Sequence, residues 1–136
     1  MKSPDEQDLS RGTMKYRISS DKDGNLLKGE KKYLFKLLSD KPVCKYWSVI
    51  VYDVKTNLLI HTDQLWPSVY SSCKRLLVEH DGSVNIWFGP ESPVEKELNW
   101  IKTIRRKGWY MILRLYDPLP ELLNKKWKPG EIEEVK

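Results

Sequence analysis

The residues able to do chemistry in this chain are few. Only two of its 136 residues are histidine, His61 and His80. A hydroxyl–imidazole–carboxylate relay could be drawn from Ser68 or Ser72 with His61 and Asp63. No Gly-x-Ser-x-Gly turn stands in the chain to hold such a nucleophile exposed. Neither His-Glu-x-x-His nor a His-x-His cluster is present, and no glycine-rich loop is built to cradle phosphate. Asp53, Asp63, Asp81, Glu91 and Glu97 could supply the two carboxylates of a glycosidase, but their separations are not legible in a sequence. The residues therefore assign no catalytic group, no metal and no cofactor. A hydrolase using His61 and Asp63 ranks below readings based on binding.

For binding, the candidates are Trp66, Trp87 and Arg114, with Asp63 and His61 beside them. Tryptophan can stack on a sugar ring, but its commoner task in a β-rich chain is to fill the core. Trp47, Trp87, Trp100, Trp109 and Trp127 fall on expected strands or at strand ends, where they serve as anchors. Arg114 stands between Leu113 and Leu115, so it needs an acceptor if buried. Asp53 or Asp81 could provide an ion pair, and an anion clamp in a cleft is the sharper alternative. Thr62-Asp63-Gln64 with Ser68 forms a polar cluster near Pro67, of the kind that closes Asx and Ser turns. Asn99-Trp100 reads as a loop lock, the amide closing a turn while the indole anchors it.

The formal charge is +5, with 24 Lys and Arg against 19 Asp and Glu. Its one dense basic cluster is Lys102, Arg105, Arg106 and Lys107, followed by Gly108. A nucleic-acid face needs a broader stripe, or bases interleaved with exposed aromatics, so nucleic acid ranks last among partners. Cys44 and Cys73 have no metal-ligand spacing and are expected as free thiols. The N-terminus is charged and carries no secretory signal. No apolar run reaches the roughly 18 residues of a membrane span, so no membrane role is expected and the cytoplasm is the default compartment.

The elements that position these residues are strands. The chain contains no alanine, the best helix former, and is rich in Trp, Tyr, Val and Ile. Residues 1–13 are polar and unpatterned and read as a flexible arm, leaving 14–136 as one domain. Strands are expected at Tyr16–Ile18, Tyr33–Leu38, Tyr46–Asp53, Leu58–Thr62, Val84–Phe88, Trp109–Tyr116 and Ile132–Val135. Tyr46–Asp53 is apolar on both faces and should be central. The stretch after Pro67 reads as loop or edge, and His80-Asp81-Gly82-Ser83 as a hairpin turn. Pro93–Leu98 and Pro118–Leu123 could each make a short helix. The expected fold is an all-β, antiparallel sandwich with one or two short helices.

From Tyr16 onward the chain closely resembles the family called domain of unknown function 1214. The ordered motifs are Asp23-Gly24-Asn25 with Leu27 and Gly29, Tyr46-Trp47-Ser48 to Tyr52-Asp53, and Thr62-Asp63-Gln64 with Pro67-Ser68. They continue through Asp81-Gly82-Ser83-Val84, Phe88-Gly89-Pro90, Asn99-Trp100-Ile101, Gly108-Trp109, Arg114-Leu115-Tyr116 and Trp127-Lys128-Pro129-Gly130. The resemblance implies a jelly-roll-like sandwich with no established catalytic activity, usually placed behind a second β-rich domain, domain of unknown function 1254. It marks Trp47, Asp81, Gly82, Asn99, Trp100, Tyr116 and Trp127 as structural motif residues. Three departures stand out: Asn57-Leu58 for a usual Arg-Ser, Glu79-His80 for Asn-Ala, and Ile104-Arg105-Arg106 for Val-Pro-Gly. Here the domain is expected to stand alone, so a surface that relatives bury would need covering. The leading reading is a non-catalytic interaction or assembly module, as a homo-oligomer or with a separate protein partner. The alternative is a carbohydrate or small-ligand binding domain.

Overall fold

The computed structural model describes residues 13–38, 46–64, 66–93, 99–116 and 129–135. Two four-stranded sheets face each other. The strands of sheet 1 are β1 (Thr13–Ile18), β7 (Trp109–Tyr116), β3 (Tyr46–Asp53) and β4 (Ser68–Tyr70), in that order. Sheet 2 orders β6 (Trp100–Lys102), β5 (Val84–Gly89), β2 (Lys32–Leu37) and β8 (Ile132–Val135). The chain is thus all-β, as its composition dictates.

The alternation of side chains builds the core. Trp47, Val49 and Val51 of β3 and Met111, Leu113 and Leu115 of β7 turn inward, as do Tyr33, Phe35 and Leu37 of β2 and Ile86 and Phe88 of β5. Trp109 lies at the centre, stacked on Phe88 at 4.7 Å and meeting Tyr33 edge-on at 5.6 Å. Burying each such side chain contributes about 1.5–3 kcal/mol. β3 pairs with β7 over its full length and with β4 on its other side, so it is central as expected.

Four local differences have physical causes. β1 starts at Thr13, three residues earlier than its apolar pattern shows, because Thr13 and Met14 pair with Tyr116 and Leu115. Leu58–Thr62 forms no strand. Leu59 makes one bridge to Tyr52, and Val51 divides its backbone bonds between Ile60 and Pro67, which leaves no continuous ladder. The Asp81-Gly82 turn closes as Glu79 N donates to Ser83 O and Gly82 N to Glu79 O, with Gly82 at φ 86°, but no strand precedes it to make a hairpin. β6 was not legible and pairs with β5 in parallel, the exception to an otherwise antiparallel arrangement. Gly89 and Pro90 end β5 without turning it back, and the chain returns beside it only at Trp100.

Both expected short helices and Trp127 lie outside the described residues, or largely so, as does Cys44. Cys73 carries a free thiol. Among the described residues no helix is long and apolar enough to cross a membrane.

Candidate functional site

The segment 61–64 and the loop that follows β6 lie side by side. Gln64 joins them: its Nε2 donates to Trp100 O at 3.0 Å, and its Oε1 accepts from Lys102 N at 2.7 Å. Thr62 Oγ1 shapes the same bend by accepting from Gln64 N at 3.1 Å, the local closure its residue type favours. Between the two segments runs an open groove of about 680 Å³, walled by His61, Asp63, Pro90, Glu91, Lys102 and Arg105. A second hollow continues from His61 and Asp63 to Trp66.

Three of the five expected ligand residues, His61, Asp63 and Trp66, therefore share one surface. The charges there are matched within the chain. Lys102 Nζ lies 2.9 Å from Asp63 Oδ1, and Arg105 lies 3.1 Å from Glu91 Oε1. The hydrogen bond and positive charge of Lys102 hold the Asp63 carboxyl below its ordinary value. A carboxylate so held stays ionised and is poorly suited to donate a proton. The polar elements form a wall beside an exposed indole, Trp66.

The basic loop at one side is a tight turn. Lys107 N donates to Ile104 O at 3.1 Å, and Arg106 takes φ 68°. That is the pattern of a type II turn, which favours Pro and then Gly at its two central positions. The Val-Pro-Gly that the family resemblance implies would suit it, whereas Arg105-Arg106 keeps the turn with an L side chain in the left-handed region. Gly29 anchors the loop: a Cβ there would lie 1.7 Å from Ile104 O, so no side chain fits. Thr103 Oγ1 donates to Gly29 O at 2.7 Å and Arg106 N to Glu30 Oε1 at 3.3 Å.

The other two expected ligand residues lie elsewhere, on opposite outer faces of the sandwich. Trp87 alternates with the inward Ile86 and Phe88 and is half-buried on sheet 2. Arg114 alternates with Leu113 and Leu115 and is half-buried on sheet 1. Neither expected ion-pair partner reaches Arg114. Asp53 stands at the far end of β3, opposite Trp109, with its side chain on Lys55 N and Lys107 Nζ. Asp81 accepts from Ser83 N at 2.9 Å and Ser83 Oγ at 2.6 Å, which hold its carboxyl low.

The structural motif residues within the described segments have clear positions. Trp47 is buried, and its backbone N–H donates to Ser71 Oγ at 2.9 Å. Asn99 is the expected lock: its amide bonds Leu77 N, Leu77 O and Asn85 O at 3.1, 2.8 and 2.9 Å. Trp100 Nε1 donates to Gly89 O at 3.0 Å, tying the loop to β5. Tyr116 packs its ring against Tyr46 at 5.3 Å. Sequence reasoning missed Ser48, which is buried on the outward side of β3 directly opposite Arg114.

Residues 12–120 match the family described as "Protein of unknown function (DUF1214)". No curated protein matches the chain. Among solved structures, the VPA0106 protein from Vibrio parahaemolyticus is similar at a TM-score of 0.77 and 20% identity, over 91% of this chain and 31% of that one. An uncharacterized protein from Burkholderia cenocepacia is similar at a TM-score of 0.53 and 16% identity, over 98% of this chain and 32% of that one. The chain thus spans about a third of the length of these two structures, and the likeness is one of fold.

Proposed function

The chain belongs to the DUF1214 family, and on that premise we propose that it is a non-catalytic β-sandwich module that works by self-association. The observation that carries this reading is the apolar end of the sandwich. Leu26 is 71% exposed, Leu58 68%, Val54 45% and Leu59 43%. Their loops converge on Gly108: Val54 N donates to Gly108 O, Lys28 bridges to Gly108, and Asp53 N donates to the carbonyl of Leu58. Exposed apolar side chains gathered on loops that meet in this way favour an interaction site, and a second copy covers it most simply. Light scattering on the chromatographed chain should show a mass above one protomer, and Leu26→Asp with Leu58→Asp should return it to one. A monomer at every concentration would contradict self-association.

A second reading rests on His61, Asp63 and Trp66 sharing one surface. A carbohydrate or other small ligand could stack on Trp66 and bond the polar wall. Trp66 fluorescence and thermal shift against glycans and small anions would test it. No response to any of them would remove it. The ion pairs that hold Asp63 and Glu91 support binding over hydrolysis, so His61→Ala and Asp63→Ala should leave any detected hydrolysis unchanged.

A further inference from the structure

The outer face of sheet 1 has an unusual composition for a solvated surface. One row crosses all four strands in register: Lys15 on β1, Arg114 on β7, Ser48 on β3 and Tyr70 on β4. Tyr116 and Tyr46 flank the row at one side, ring against ring. Arg17 lies on the other side, its guanidinium 3.9 Å above the ring of Tyr110. No outward position of these four strands carries Asp or Glu. Among the described residues no carboxylate pairs with Arg17 or Arg114.

At the middle of the row two polar groups are buried and unmatched. Ser48 is 9% exposed and its Oγ has no hydrogen-bond partner, and neither has the buried Nε of Arg114. These residues stand directly opposite each other on β3 and β7, which sets their backbones about 5 Å apart. Buried polar atoms in folded proteins are nearly always hydrogen-bonded. Two adjacent exceptions, a hydroxyl donor and a guanidinium N–H, fit the two oxygens of one carboxylate. The phenol of Tyr116 lies beside the pair. Burial pushes it up, but polar contacts with the Ser48 hydroxyl and the Arg114 guanidinium, which do not reach hydrogen-bond geometry at Ser48 Oγ or Arg114 Nε, outweigh this and hold it below its ordinary value.

We propose that Ser48 and Arg114 form a carboxylate site at the centre of a docking face on sheet 1, and that its occupant is an acidic segment of a protein partner. Charge complementarity supports an anionic occupant, since the outward strand positions carry Arg17 and Arg114 and, among the described residues, no acid. The rings support a protein over a nucleic acid. Tyr52 and Tyr110 already stack at 5.3 Å and 10°, and Arg17 covers the far side of Tyr110, so base stacking there would have to displace internal contacts. Tyrosines ordered in this way, with arginine between them, are the usual anchors of protein interfaces. This face is distinct from the apolar end formed by Leu26 and Leu58. Failure of either proposal leaves the other standing.

The test is fluorescence anisotropy on the full chain with a labelled alternating Glu–Tyr peptide. Comparison probes are the Gln–Tyr peptide of equal length, inorganic phosphate and a deoxythymidine oligomer. The Glu–Tyr peptide should bind, and the Gln–Tyr peptide should bind at least about tenfold more weakly. Arg114→Gln should weaken the acidic peptide by about tenfold or more, and Arg114→Lys, which keeps the charge but loses the fork, by less. Ser48→Ala and the exposed Arg17→Gln, neither of which threatens folding, should each weaken it by about threefold. Equal binding of both peptides, or no change in Ser48→Ala and Arg17→Gln, would overturn the proposal. So would tighter binding of the deoxythymidine oligomer, or phosphate competing as well as the peptide, which would mark a small-anion site only.

Discussion

The groove beside His61 and the row through Arg114 contain the same kinds of groups and treat them in opposite ways. In the groove the acids and the amide are answered from within the chain: Asp63 by Lys102, Glu91 by Arg105, and Gln64 by Trp100 and Lys102. On sheet 1, Ser48 Oγ and Arg114 Nε are buried and unanswered. The groove holds the residues that look chemical in a sequence, yet its polar groups stabilise the loops. The quieter pair on the sheet face carries two adjacent unmatched donors. The difference teaches that residue type nominates a site poorly, and that the balance of hydrogen bonds separates scaffold from receptor.

The largest effect should come from breaking a matched amide. Asn99→Ala removes three hydrogen bonds from a buried side chain and should cost about 3 kcal/mol, read from urea denaturation. A loss below about 1 kcal/mol would show that the lock is not rigid. Next is the basic turn, where strain is held on the groove side. Arg106→Gly relieves an L residue at φ 68° and should raise stability by about 1 kcal/mol. Lower stability in that variant would mean that Arg106 makes up for its backbone through its side chain.

The smallest effect concerns the pH dependence of the Lys102–Asp63 pair. The folded carboxyl lies below its ordinary value, so the pair's contribution is present above the unfolded carboxyl value. It is lost as pH falls below about 4 and through the folded value. Following Asp63 by NMR titration, Lys102→Met should bring its midpoint back up toward the ordinary value. An unmoved midpoint would show that Lys102 is not what holds the carboxylate.

Much of the scaffold was legible. β3 and β7 announce themselves because each is an eight-residue run of mainly aromatic and aliphatic residues, too short for a buried helix. Asn99 was legible as a lock because Asn before a core Trp closes loops by backbone bonding. β6 was not, since Trp100–Lys102 is too short to show any period and its parallel pairing depends on where the chain returns. The meeting of His61 and Asp63 with Lys102 and Arg105 is a tertiary fact with no local signal. Arg114 was legible as a cation inside an apolar strand. Its expected partners were not, because the register places Asp53 at the other end of β3. Ser48 appears in the sequence only as part of the Tyr46-Trp47-Ser48 motif, with nothing to mark a binding role: the pairing of β3 with β7 is what sets it opposite Arg114.

The most direct measurement is the denaturation midpoint of Ser48→Ala against that of Gln64→Ala, each compared with the unaltered chain. Gln64→Ala leaves Trp100 O and Lys102 N without their partner and should lose about 1–2 kcal/mol. Ser48→Ala removes a buried hydroxyl that has no partner and should be neutral or gain up to about 1 kcal/mol. Opposite signs, or a clear loss against no change, are what a matched scaffold beside an unmatched receptor predicts. If Ser48→Ala costs as much as Gln64→Ala, the hydroxyl is satisfied within the chain, and the receptor reading of sheet 1 is wrong.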